Sequence, residues 1–122
     1  MQTFAHIGIY VENMDVSKKF YTEILDCKVI KNEIYPGTQL CFLDAGGSVI
    51  ELICKSSESK RSGSAALDHL AFSVDSLDEK LEMLEVNNIP VISGPRIVGT
   101  NRIAFFKGPN DERFEFAEHY QK

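Results

Sequence analysis

No apolar run in this chain approaches the length of a membrane span, which argues against a membrane-spanning helix. Basic clusters are missing beyond Lys60-Arg61, and 18 acidic residues against 13 basic ones give a formal net charge of −5. Nucleic acid is therefore not an expected partner. Cysteine is scarce. Cys27, Cys41 and Cys54 are odd in number and widely spaced, which excludes a disulfide framework or a zinc knuckle and favours reduced thiols. The opening Met-Gln-Thr-Phe-Ala-His has no charged segment followed by an apolar one, so no secretory signal is read and a cytoplasmic protein is expected. What is present is ordinary in bulk: 122 residues, 43% apolar and 25% charged, the make-up of one soluble globular domain.

The informative feature is a repeat. Ala-His-Ile-Gly-Ile-Tyr-Val at 5–11 matches Asp-His-Leu-Ala-Phe-Ser-Val at 68–74, at an offset of 63. His6 is followed 45 positions later by Glu51, and His69 is followed 46 positions later by Glu115. Each half reads as strand, helix and three strands. In the first, Ala5–Val11 is a strand. Asn13 and Asp15 offer caps to a helix carrying Val16, Phe20 and Ile24, with Tyr21 and Leu25 beside them, that stops near Asp26. Strands Cys27–Lys31, Gln39–Asp44 and Ser48–Cys54 follow, separated by Pro36-Gly37 and Gly46-Gly47.

In the second half Leu67–Val74 is a strand, and Ser76-Leu-Asp-Glu79 is a capping box opening a helix with Leu77, Leu81 and Leu84. Asn87-Asn88 end that helix, and Pro90–Ser93, Asn101–Lys107 and Arg113–Glu118 are the remaining strands. Gly94–Thr100 reads as a loop covering the site, and His119 as tail without a repeat counterpart. The expected fold class is α+β, one domain over 1–122. It comprises a βαβββ module at 1–54, a Ser-rich linker at 55–66 and a second βαβββ module at 67–122. Units this short cannot close a core alone, so two must pack together, within a chain or between chains.

Side chains alternate between the faces of a strand, which fixes where the four repeated residues point. Ile7, Ile9 and Val11 oppose His6, Gly8 and Tyr10, and Ile50 and Leu52 oppose Glu51. Leu70, Phe72 and Val74 oppose His69, and Phe114 and Phe116 oppose Glu115. All four lie opposite an apolar face, the one expected under the helices, with small Gly8 and Ala71 beside the histidines. Two imidazoles and two carboxylates suit Ni(II), Zn(II), Co(II), Fe(II) or Mn(II), and four protein ligands leave octahedral positions open for substrate.

These motifs carry a resemblance over essentially the whole chain. His6-Ile-Gly-Ile-Tyr-Val, Asn13-Met14, Ser17, Phe20-Tyr21 and Leu25 resemble the first module of the vicinal oxygen chelate superfamily, the relatives of glyoxalase I and bleomycin-resistance proteins. Asp68-His69-Leu-Ala-Phe-Ser-Val and Phe106-Lys-Gly-Pro-Asn-Asp-Glu-Arg-Phe-Glu115 are similar to its second. The resemblance implies open eight-stranded barrels, commonly built across a homodimer, and places His6, Glu51, His69 and Glu115 on the metal positions of glyoxalase I. Glu51 stands where methylmalonyl-CoA epimerases typically have Gln, and where fosfomycin-resistance enzymes lack a carboxylate ligand.

The implied activity is metal-dependent isomerisation of the hemithioacetal of a 2-oxoaldehyde, such as methylglyoxal, and a thiol. Glu115 is the base by resemblance and Glu51 its partner, though either position can serve. The metal implied is one divalent ion per site, Ni(II) or Zn(II) first. Where glutathione-using members commonly carry Arg and Asn, this chain has Tyr10 and Lys55, the candidate substrate-binding residues. An epimerase, a fosfomycin-type thiol transferase and a non-catalytic small-molecule or antibiotic binder are the alternatives.

Overall fold

A computed structural model describes residues 6–56 and 69–120. The chain divides into two compact units, Met1–Gly63 and Ser64–Lys122. The first holds β1 (Ile7–Tyr10), α1 (Met14–Glu23), β2 (Lys28–Tyr35), β3 (Thr38–Asp44) and β4 (Val49–Lys55). The second holds β5 (Leu70–Val74), α2 (Leu77–Val86), β6 (Val91–Val98), β7 (Asn101–Lys107) and β8 (Arg113–His119). Both units are therefore βαβββ, and both sheets have the same order, β1-β4-β3-β2 and β5-β8-β7-β6. The helix is the crossover that lets β1 run parallel to β4, and β5 to β8, while the other neighbours are antiparallel.

The helices start and stop for local reasons. Asn13, in extended conformation, accepts the Val16 N–H at 3.0 Å to cap α1, and Ser76 accepts the Glu79 N–H at 3.2 Å to cap α2. The Leu77 N–H also donates to Glu118 Oε1 at 2.9 Å, so a carboxylate from β8 satisfies the helix end and ties it to the sheet. After each helix the chain turns through a left-handed residue, Asp26 (φ 59) and Asn88 (φ 60). Short polar side chains tolerate that conformation. Asp44 holds the β3–β4 turn by accepting the N–H groups of Gly46 and Gly47. Among the described residues no helix is long and apolar enough to cross a membrane.

Each helix lies on one face of its own sheet, α1 over β4 and β3, α2 over β8 and β7. In the first unit this face buries Tyr21, Cys41, Leu43 and Leu52 completely. In the second it buries Leu77, Leu84, Phe106 and Phe114, with Phe116 centred 4.6 Å from Phe106. Each of these leucines and phenylalanines contributes about 1.5–3 kcal/mol by leaving water.

Four expectations change. The buried stripe of α1 is Met14, Ser17 and Tyr21, whereas Val16 is half exposed. The small Ser17, 1% exposed, takes the sheet-facing place between Met14 and Tyr21. Strand β2 extends past Lys31 to Tyr35, because pairing with β3 continues to the tight turn after Tyr35. The segment Gly94–Val98 is strand, not loop. It continues β6 through register shifts at Val91/Ser93 and Ser93/Arg96, and an edge strand tolerates Pro95 there. His119 ends β8 opposite Asn101, as Lys55 ends β4 opposite Thr38, so His119 does have a repeat counterpart. Lys55 belongs to β4. Residues 57–66 of the expected linker, like Ala5, Leu67 and Asp68 at the expected strand starts, lie outside the described residues.

Candidate metal centre

The face of each sheet turned away from its helix carries a His–Glu pair. In β4, Ile50 and Leu52 point under α1, which turns Glu51 to the opposite side; in β8, Phe114 and Phe116 do the same for Glu115. His6 Nε2 lies 3.2 Å from Glu51 Oε1, and His69 Nε2 lies 3.0 Å from Glu115 Oε1. The carboxylates are mostly sheltered, 15% and 14% exposed, and the imidazoles less so, 40% and 32%. Small residues stand across from both acids in the parallel register, Gly8 from Glu51 and Ala71 from Glu115. A Cβ on Gly8 would sit 3.3 Å from Ile53 Cδ1 and 3.6 Å from Glu51 Oε1, so only a small residue fits beside the acid.

The geometry suits a metal. Donors about 2.1 Å from an ion and at right angles to one another are about 3.0 Å apart, which is the separation of both pairs. Without an ion, each Nε2 stands within ion-pair distance of its carboxylate. Within either unit, among the described residues, no third His, Cys, Asp or Glu joins the pair. Each unit thus brings its own His and Glu together and supplies two donors.

Two aromatic residues escaped the sequence reading. Phe42 meets the His6 ring edge-on at 5.8 Å, and Phe105 meets His69 edge-on at 5.2 Å, both at 89°. They pair across the strands with the acids, Phe42 with Glu51 and Phe105 with Glu115. The signal was available, because Phe42 and Phe105 are 63 residues apart, the same offset as the histidines. Each ring also lies beneath a cation. Lys31 Nζ is 4.9 Å from the Phe42 centroid and ion-paired to Glu33 at 3.2 Å. The guanidinium carbons of Arg113 and Arg96 are 4.3 and 5.9 Å from the Phe105 centroid.

The candidate substrate residues also come together. Tyr10 and Lys55 share the open face with Glu51, and Lys55 Nζ lies 6.0 Å from the Tyr10 ring centre. Two further residues mark the first unit's open face, Glu33 and Tyr35. The Tyr35 hydroxyl donates to Glu33 Oε1 at 3.1 Å, and the hydrogen bond to that negative carboxylate raises the phenol above its ordinary pKa. The thiols lie elsewhere: burial, reinforced by Asp26 and Asp44, pushes Cys27 up to about 11, and burial also raises Cys41.

Two βαβββ units, each with a His–Glu pair on the open side of its sheet, make one fold in duplicate. The chain belongs to the glyoxalase/bleomycin resistance protein/dioxygenase superfamily, whose family model matches residues 3–116. It is 30% identical to a probable lactoylglutathione lyase of Vibrio parahaemolyticus, over 95% of this chain and 90% of that one. It is 28% identical to a lactoylglutathione lyase of Neisseria meningitidis, over 93% and 88%. Among solved structures it is similar to the trypanothione-dependent glyoxalase I of Leishmania major, with a TM-score of 0.83 and 26% identity over 98% and 88% of the two chains. A fosfomycin resistance protein from Listeria monocytogenes shares the fold, with a TM-score of 0.76 and 21% identity over 97% and 93%.

Proposed function

We propose that this chain is a divalent-metal-dependent lyase of the glyoxalase I kind. It converts the hemithioacetal of a 2-oxoaldehyde such as methylglyoxal and a thiol into an S-2-hydroxyacyl thioester. The observation that carries this reading is the second acid. Both units pair their histidine with a carboxylate, His6 with Glu51 and His69 with Glu115, so a base is available at each of two equivalent places. The lactoylglutathione lyase names of relatives at 28–30% identity support the same choice.

In this reading His6, Glu51, His69 and Glu115 are the four ligands of one ion, Ni(II) or Zn(II), or else Co(II), Mn(II) or Fe(II). Four donors complete one site when two such faces meet, and a homodimer is the assembly in which we expect them to do so. The bound ion would act as a Lewis acid toward two adjacent substrate oxygens. Glu115 takes the proton from the carbon bearing sulfur and returns it to the neighbouring carbon, so the sum is an isomerisation with no redox partner. Glu51 holds the mirror position. The edge contacts of Phe42 and Phe105 fix the imidazole planes and keep water from one side of each pair. Lys55, beside Tyr10, is placed to meet a carboxylate of the thiol, and the three free thiols suit a cytoplasmic setting.

The test is to strip the protein of metal, reload it with Ni(II) or Zn(II), and follow thioester formation from methylglyoxal with glutathione and then with other thiols. Metal-dependent thioester formation with one of the thiols is expected. A folded, metal-loaded protein that forms none with any of them refutes the reading.

A further inference from the structure

The two His–Glu–Phe clusters are alike except in their cations, and the difference is chemical. Among the described residues of the first unit, Lys31 sits over Phe42 and is ion-paired to Glu33 at 3.2 Å. In the second, two guanidiniums converge on Phe105, Arg113 from β8 and Arg96 from β6. Arg113 lies two residues before Glu115, on the same face and about 7 Å along the strand. The register shift between Ser93 and Arg96 brings Arg96 opposite Ile103, on the Phe105 side of β7. Its Nη1 donates to the neutral Ser93 hydroxyl at 2.6 Å, which fixes the side chain without cancelling its charge. Lys107, opposite Arg113 on β7, adds a third cation to this face.

Each guanidinium stands within cation–π reach of the Phe105 ring, Arg113 at 4.3 Å and Arg96 at 5.9 Å. With five donors it can serve more than one acceptor, and its fork matches a carboxylate. Phe105, 6% exposed, is the ring that both cations share.

We propose that Arg96 and Arg113, gathered beside Phe105, form an anion clamp that selects substrates carrying a carboxylate in addition to the chelated oxygens. The inference rests on the metal-chelate reading above and names a substrate property which that reading leaves undefined. The anionic group belongs to the thiol half of the hemithioacetal or to the aldehyde half, and both sources present the same carboxylate chemistry.

The experiment is calorimetric titration of the Ni(II)-loaded full chain with glutaric monohydroxamate and with its methyl ester. The two share one chelating head and differ only in tail charge. The acid is expected to bind at least about tenfold more tightly than the ester. In Arg113→Gln, and further in the Arg96→Gln/Arg113→Gln double variant, that advantage is expected to disappear. Equal affinities in the unaltered protein, or an advantage that survives the double variant, overturn the clamp while leaving the chelate reading intact. Binding of neither hydroxamate overturns the chelate reading and the clamp with it. Kinetics with hemithioacetals of 3-mercaptopropionate and of its methyl ester then assign the source. A charge preference among thiols places the anion on the thiol half, and an advantage seen only with the free hydroxamate acid places it on the aldehyde half.

Discussion

Replacing Glu115 by Gln removes a charge while keeping the shape. The carboxylate is 14% exposed and lies 3.0 Å from His69 Nε2, and an amide of the same size fills that place. Metal-free Glu115→Gln should therefore match the parent in stability to within about 0.5 kcal/mol. Metal should separate them. A ligand at about 100 times its Kd stabilises the folded state by about 2.7 kcal/mol. For a chain of this length that is worth roughly 11 °C in Tm. If loss of the charged donor weakens binding about a hundredfold, the same Ni(II) concentration stabilises the variant by only about 0.4 kcal/mol, under 2 °C. The assay is thermal unfolding by circular dichroism across a Ni(II) titration, with thioester formation measured on the same samples. Turnover should fall about 10²–10⁴-fold if Glu115 moves the proton. A variant that keeps the parent's Ni(II)-induced shift would show that Glu115 is no ligand, and unchanged turnover would reassign the base.

Two further perturbations test the scaffold. Gly94 has φ +94, and a Cβ there would lie 2.7 Å from the Ile103 carbonyl oxygen, so Gly94→Ala should cost about 2–5 kcal/mol. Gly99→Ala, at φ +62 with nothing within 4 Å, should cost only about 1 kcal/mol. Equal melting temperatures for the two variants would contradict this packing. Cys27 holds its proton up to about pH 11 in the fold against 9.0 for the free thiol. Between these values the folded state binds more protons than the unfolded one, so stability falls as pH rises. The loss reaches about 2–3 kcal/mol by pH 11. Urea unfolding of Cys27→Ala should lack that slope, and a slope of the same size in the variant would assign it to other groups.

The duplicated module was legible because period-two alternation and turn chemistry are local. Ile50 and Leu52, Phe114 and Phe116 mark the helix-covered face from sequence, and the acids between them point the other way by pleat alone. The His–Glu pairs followed from that parity plus the parallel register of Gly8 with Glu51 and Ala71 with Glu115. Edge strands were harder. Gly94-Pro95 looks like punctuation, yet β6 continues through it because a strand paired on one side only can carry a bulge and an imino acid. Val16 misled because its apolar side chain suggested the buried stripe, whereas the helix turns Met14, Ser17 and Tyr21 to the sheet. Phe42 and Phe105 passed as strand filling, since their importance lies in cross-strand neighbours that no single window contains.

The central claim is that the His–Glu pairs of both units bind one ion. X-ray absorption at the Ni K-edge of the loaded full chain counts the imidazoles on that ion directly. The account predicts two imidazoles per Ni(II) with the remaining donors oxygen, at one ion per chain. One imidazole per ion, or none, would contradict it.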